Sequence, residues 1–244
     1  MNLSPWAPRA FALALALPSI ACSKGDANEA AQGAPLPSSN GCIAATLEHH
    51  EHTDDQDGVA HDVRYKERFV RCGGRVWRER VLPRGVPKDA AHARANDHRE
   101  MPPSFTLARF IEKSSDGATL SLVSRAQRRI IAISPESYEA TQFDADFDAA
   151  AHLIGTRSIA TMTPIPDRSA PAGAEWRSRS SAAGVVRVLW SKLYEFPLEI
   201  ESESGGGTKL DSLKVVLEPP PVASDLPWAD VGGYQKERDT DFMD

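Results

Sequence analysis

The chain has 244 residues, with 28 Lys or Arg against 34 Asp or Glu and a formal charge of −6. That balance supplies no basic field for nucleic acid. Leu, Ile, Val and aromatic residues run throughout, which excludes general disorder, and the length suits one sizeable hydrophobic core.

The N-terminus reads "MNLSPWAPRAFALALALPSIACSKGD". Arg9 precedes an apolar run from Phe11 to Leu17, which continues to Ile20; this is short of the about 20 apolar residues a bilayer span needs. Its size and order are those of a secretory signal, residues 1–21, ending at a small-residue cleavage site. Cys22 after Ala21 resembles the lipobox of bacterial lipoproteins, in which that cysteine is lipidated, although Ser19 stands where the motif usually has Leu. Ordinary cleavage after Ala21 is the alternative. Both readings export the protein; the first anchors it to a membrane through lipid. No later stretch is long and apolar enough to cross a membrane. Residues 22–41 are rich in Ala, Gly, Pro and Ser and read as a flexible tether, with a coil reach of roughly 25 Å. Residues 42–244 then form a single domain.

Export places Cys42 and Cys72 in an oxidising compartment, where a disulfide is expected. The bridge would close a loop of about 30 residues, worth about 3–4 kcal/mol by loop entropy. The competing role is a pair of thiolate metal ligands. Inside that loop lies "LEHHEHTDDQDGVAHD", Leu47 to Asp62, with four His and six Asp or Glu. His49, His50, His52 and His61 are candidate ligands for zinc or copper, which need about three or four converging donors. His92 and His98 are candidates to complete such a set. "HEHTD" is not H-E-x-x-H, and an EF-hand register with Gly58 at position six puts Arg64 at position twelve, which excludes calcium in that mode. The bland alternative is an acidic surface loop with solvated histidines.

"DVRYKERFVRCGGRVWRERVLP" gives two alternating runs joined by Gly73-Gly74, a β-hairpin with both glycines available for a type I′ turn. Residues 64–84 carry eight Lys or Arg and two Glu. They read as a solvated sheet face, or as a basic partner of the acidic segment. Residues 84–104 form a polar loop. Three short β runs follow to Ser134. "SPESYEATQFDADFDAAAHLIG" is the helical region, in one or two pieces, with Ser134 as N-cap, Pro135 at the first position and Gly155 at the end. His152 near its end suits a structural role at a helix C-terminus. "GVVRVLWS", "EFPLEIESES" and "TKLDSLKVVLE" are strands, separated by turns that include Gly205–Gly207. The tail holding Trp228, Tyr234 and Phe242 reads as an irregular cover. The sum is a mainly β, α+β chain: a curved antiparallel half-barrel of about eight to ten strands with a helical insertion or lid.

This order of elements, with "GRVWRERV", "LSLVSRAQRRIIAIS", "FPLEIES" and "LPWADVGGYQK", resembles the LolA/LolB-like lipoprotein carriers over residues 63–240. The resemblance implies a curved sheet around an apolar cavity, lidded by helices and holding acyl chains, in a periplasm-facing, outer-membrane-anchored lipoprotein. The histidine-rich front segment, the disulfide and the polar loop depart from that pattern. Trp77, Trp176, Trp190 and Trp228, with Phe143 and Phe147, are candidate cavity-lining side chains; such tryptophans are more often plain core, although in a half-barrel the two roles overlap. No nucleophile elbow, Walker loop or dinucleotide fingerprint is present, so the expected function is non-enzymatic, without a cofactor unless zinc or copper binds. An apolar ligand or an envelope protein, docked through the basic hairpin, is the expected partner.

Overall fold

The computed structural model describes residues 41–54, 57–82 and 107–239. The expectations for residues 1–40, including lipidation at Cys22, and those for His92 and His98 lie outside the described residues.

Six strands lead the described chain: β1 (Ile43–Asp54), β2 (Ala60–Cys72), β3 (Arg75–Val81), β4 (Ala108–Ser114), β5 (Gly117–Ser124) and β6 (Arg129–Ala132). Two helices follow, α1 (Phe147–His152) and α2 (Thr156–Ala160), then β7 (Thr163–Pro164), β8 (Ala174–Ser181), β9 (Gly184–Ser191), β10 (Phe196–Ser204), β11 (Lys209–Glu218) and β12 (Gln235–Arg238). They make one sheet in the order β12-β6-β5-β4-β3-β2-β1-β11-β10-β9-β8-β7, unclosed between its two ends. The first meander walks outward from β1 to β6, and the second walks inward from β7 until β11 meets β1. All pairings are antiparallel except β12 on β6. The mainly β half-barrel class holds, with twelve strands where about eight to ten were expected. The surplus comes from the β7–β8 hairpin arm and from β12, which turns the end of the expected irregular tail into a sheet edge.

The acidic histidine segment is not a loop. It forms the outer half of β1 and the start of β2, the two longest strands, in unbroken antiparallel register from Ile43↔Arg71 to Asp54↔Ala60. At the base of this hairpin both faces are covered, and the chain reads "CIAATL", with Ala45 and Leu47 fully buried. Toward the tip neither face is fully covered, so both phases of the alternation become polar. The sequence pattern that resembles a loop is a strand running past its cover. Cys42 and Cys72 close the base of the hairpin as a disulfide, Cα atoms 4.2 Å apart, which removes the thiolate reading. Across the hairpin Lys66 pairs with Glu48 at 2.6 Å, so the basic strand does neutralise part of the acidic one.

The turn at Gly73-Gly74 differs from expectation: only Gly73 has a positive φ, +61°, so it is not type I′. Gly184 opens β9 with φ +140°, and a Cβ there would sit 1.9 Å from the Glu203 carbonyl oxygen on β10. Only glycine allows that approach.

Alternation splits the core between two faces. The helical face carries Leu47, Phe69, Val76, Ile111, Leu120 and Phe196 under α1 and the turn around Phe143. The opposite face carries Val70, Trp77, Phe110 and Val123 under the tail residues Trp228, Val231 and Tyr234. A third cluster packs Ile159 and Met162 of the α2 region on Val188 and Trp190 of β9. The helical region is more broken than its sequence pattern. Ser134 stands at the N-cap of a single 3-10 turn, Pro135–Ser137, with Pro135 at its first position, but its side chain makes no capping bond; its hydroxyl and amide both donate to the buried Asp239 carboxylate, at 2.7 and 2.9 Å, and so tie the tail to β6. Asp146 caps α1 instead, accepting from the Asp148 and Ala149 amides. Leu153 ends that helix in the left-handed region, at φ 62°, and Gly155 opens α2 rather than closing the segment.

Candidate functional site

Between the helical face of β1–β4 and the segment 139–153 lies a cavity of about 760 Å³, in the range of single small-ligand sites of roughly 300–1,000 Å³. Its apolar wall comes from Val63, Leu107 and Ile111 on the sheet side and Phe143, Ala150 and Leu153 on the helical side. Its floor is charged: Glu51, Glu67, Arg78, Arg80 and Arg109 project from alternate positions of β1–β4, together with Tyr65. Glu139 and Asp144 stand exposed at the rim. The cavity is therefore amphipathic rather than the apolar space that the sequence resemblance implies.

Register explains how the floor assembles. Tyr65 lies opposite His49, Arg80 opposite Glu67, and Arg109 opposite Arg78. Glu67 is the hub. His49 donates from Nε2 to its Oε2 at 3.2 Å, while Arg78 donates to the same oxygen from Nε at 3.1 Å and from Nη2. Burial favours the neutral acid, but the His49 hydrogen bond and the Arg78 charge and hydrogen bonds outweigh it and hold the carboxyl down to about 2. Tyr65 stacks on His49 with ring centroids 4.3 Å apart and donates to Glu51 at 3.3 Å. Burial, with the charges of Glu67 and Glu51, pushes its phenol up to about 12. Arg80 lies over the other side of Tyr65, 4.2 Å from the ring centre. Burial, then the Arg78 charge beside it, shifts the Arg109 guanidinium downward, with Glu67 opposing. Glu67 stays ionised and Tyr65 stays neutral around pH 7, so neither is poised for proton transfer.

The candidate side chains distribute as follows. Of the aromatic residues, Phe143 lines the cavity. Phe147 packs into the main core at the start of α1. Trp77 is on the opposite face, fully buried, with Phe110 at 5.9 Å and the Arg125 guanidinium 5.1 Å from its ring. Trp176 lies beneath Arg168, which is 3.4 Å from its ring centre, and donates its Nε1–H to the Ser169 carbonyl. Trp190 packs under α2. Trp228 packs on Phe110 on the opposite face, where it borders a smaller, separate cavity. The structure thus gathers one of the six predicted lining residues at the cavity and places the other five elsewhere.

Strand geometry also divides the histidines. His49 and His61 belong to the phase facing the helices, while His50 and His52 face the other way. His50 contacts Asp62 at 2.8 Å, and His52 contacts Asp54 at 3.3 Å and Asp62 at 3.9 Å. Among the described residues no group of three or more His, Cys, Asp or Glu side chains is arranged to hold a metal ion. His152 contacts Asp148, its neighbour one turn back on α1, at 2.9 Å.

The residues missed from sequence are Glu67, Arg78, Arg80 and Arg109, read there as part of a solvated basic face or not singled out at all. One signal was present. Leu107, Arg109 and Ile111 share one phase of an alternating run, so an arginine occupies an apolar position of a strand.

No family model and no curated protein matches the chain. Solved structures do. A DUF1329 family protein from Desulfovibrio piger matches at 7% identity and TM-score 0.37, covering 82% of this chain and 93% of that one. A LolA superfamily protein from Nitrosomonas europaea matches at 9% and 0.33, covering 78% and 90%. A domain from Vibrio parahaemolyticus described as an outer membrane lipoprotein-sorting protein matches at 11% and 0.34, covering 78% and 89%. LolA superfamily and DUF1329 proteins are thus among the structural neighbours of this chain, and no residue role is carried over from them.

Proposed function

We propose that the protein is a non-catalytic binding protein of the bacterial cell envelope that shelters an apolar moiety beneath its helical cover. One observation carries the reading: Val63, Leu107, Ile111, Phe143, Ala150 and Leu153, from two separate layers, wall a single space of about 760 Å³. A core would close such walls on each other; a binding site keeps them apart. The Cys42–Cys72 disulfide fits an oxidising compartment, as does the signal-like N-terminus. Anchorage through lipidated Cys22 belongs to the same reading, which also accounts for a tether ahead of the domain. The locked protonation states of Glu67 and Tyr65 support binding over acid–base chemistry.

The test uses the neutral fluorescent probe N-phenylnaphthylamine and an Ala149→Trp variant that fills the cavity from its helical side. Saturable enhancement is expected with the wild type, and at least about tenfold weaker binding with the variant, provided its thermal melt stays cooperative. Absence of saturable binding to the wild type refutes the reading. So does a folded Ala149→Trp protein that binds like the wild type.

A further inference from the structure

The floor of the cavity holds one positive charge that its neighbours do not balance. Glu67 is shared by Arg78 and His49, and Glu51 is engaged by Tyr65. Arg80 rests on the Tyr65 ring. Arg109 remains. Its own strand places Leu107 and Ile111 on either side of it in the same phase, and its ladder partners are Leu122 on β5 and Arg78 on β3. Like charges directly opposite each other in a sheet are destabilising, and the Arg109 Nε is buried with no hydrogen-bond partner among the described residues. A guanidinium is kept at this position with its Nε donor buried and unsatisfied, beside a second guanidinium and between two apolar side chains. That arrangement costs stability unless an acceptor arrives from outside the chain.

From this geometry we infer that the ligand is an amphiphile with an anionic head, a carboxylate or a phosphate monoester, bound by Arg109 with Arg78 beside it while its hydrocarbon tail lies along Phe143 and Leu153. Arg109 offers forked donors to the anionic head, and Arg78, whose Nε and Nη2 are engaged by Glu67, adds its positive charge across the ladder. The exposed Glu139 and Asp144 at the rim repel the same head and favour its deeper seat beside the arginines. The inference rests on the apolar-shelter reading above and specifies its ligand.

The experiment measures displacement of N-phenylnaphthylamine by palmitate, hexadecyl phosphate and hexadecanol, all below their aggregation limits, with inorganic phosphate alone as a further arm. The wild type is expected to bind palmitate or hexadecyl phosphate at least about tenfold more tightly than hexadecanol, the scale of a charge-assisted hydrogen bond. Arg109→Met should lower that ratio at least about fivefold, and Arg109→Lys should restore part of it. Thermal melts of both variants check folding, and the ratio within each protein cancels a general loss of affinity. Equal affinities for palmitate, hexadecyl phosphate and hexadecanol in the wild type overturn the anionic-head inference and leave the shelter reading standing. A preference that survives Arg109→Met also overturns it. Displacement by inorganic phosphate at the same concentration as by hexadecyl phosphate shows a simple anion site and overturns it. If none of the probes binds, both readings fail together.

Discussion

Replacing Glu67 by glutamine removes the carboxylate on which His49 and Arg78 converge while nearly preserving its shape. Its side chain is 17% exposed and its pKa is held at about 2 against an ordinary 4.5. A difference of about 2.5 units at about 1.4 kcal/mol each makes the ionised form worth about 3 kcal/mol to the folded state. The folded pKa is depressed, so this stabilisation is fully present above about pH 4.5 and is lost as the pH falls toward about 2. Glu67→Gln should therefore be destabilised at neutral pH, because Arg78 keeps its charge and loses its counter-ion. Between about pH 5.5 and 2.5 the wild type should lose about 2–3 kcal/mol more than the variant, so that the two converge in acid. Urea unfolding followed by tryptophan fluorescence across that range reads the difference directly. Many other carboxylates titrate in the same window, but they do so in both proteins and cancel. Parallel pH profiles, with a constant gap between wild type and Glu67→Gln, would refute the claim that His49 and Arg78 hold this carboxylate ionised.

Two further outcomes follow from the hairpin. Reducing Cys42–Cys72, or replacing both with serine, should cost about 3–4 kcal/mol, because the pair is 30 residues apart and the bridge restricts the unfolded chain; unchanged urea midpoints under oxidising and reducing conditions would contradict this. With no converging ligand set among the described residues, added zinc is expected to give no stoichiometric calorimetric signal dependent on His50 and His52. One-to-one zinc binding lost in a His50→Ala/His52→Ala double variant would restore the metal reading at those residues, with Asp62 as the shared neighbour.

Alternation made the strands legible, and paired cysteines behind a signal-like N-terminus made the disulfide legible, because each depends on local pattern or on an expected compartment alone. The histidine segment was misread for a definite reason. A loop and a strand with two uncovered faces share one composition, and nothing local to "EHHEHTDD" tells how far the cover extends. The sequence leaves the tryptophans between cavity and core because large aromatics serve both. Which face each one joins follows from strand phase relative to the helices, and the Arg168 loop that roofs Trp176 is set by tertiary packing. Arg78 and Arg109 carried a readable signal in their phase, but their meeting requires the β3–β4 register, which pairs strands far apart in the chain. The β12 edge was invisible because a four-residue strand has too little pattern to stand out from a tail.

Element lengths account for why the cavity sits where it does. At about 3.3 Å per residue, the 12 residues of β1 reach about 40 Å, whereas the six of α1 at about 1.5 Å each reach about 9 Å. So short a cover roofs only part of its face of the sheet. On the opposite face Trp228, Val231 and Tyr234 pack over Trp77 and Phe110 and leave a smaller cavity of about 370 Å³ between Phe110, Ile130, Trp228 and Val231, while Arg125 donates to the Pro227 carbonyl at 2.9 Å to hold the tail in place. On the helical face the base is sealed by Phe69 and Phe196. The tip is polar in both phases, and between the two lies a band that is walled by apolar side chains but not filled. Lengthening α1 would fill it, yet Leu153 turns the chain into the left-handed region immediately after that helix, and Asp148 accepts from the Thr156 amide and hydroxyl at 2.6 and 2.9 Å to fix the start of the next. The termination of α1 is therefore built from specific contacts, and it leaves Arg109 facing an open space that an external anionic head can occupy.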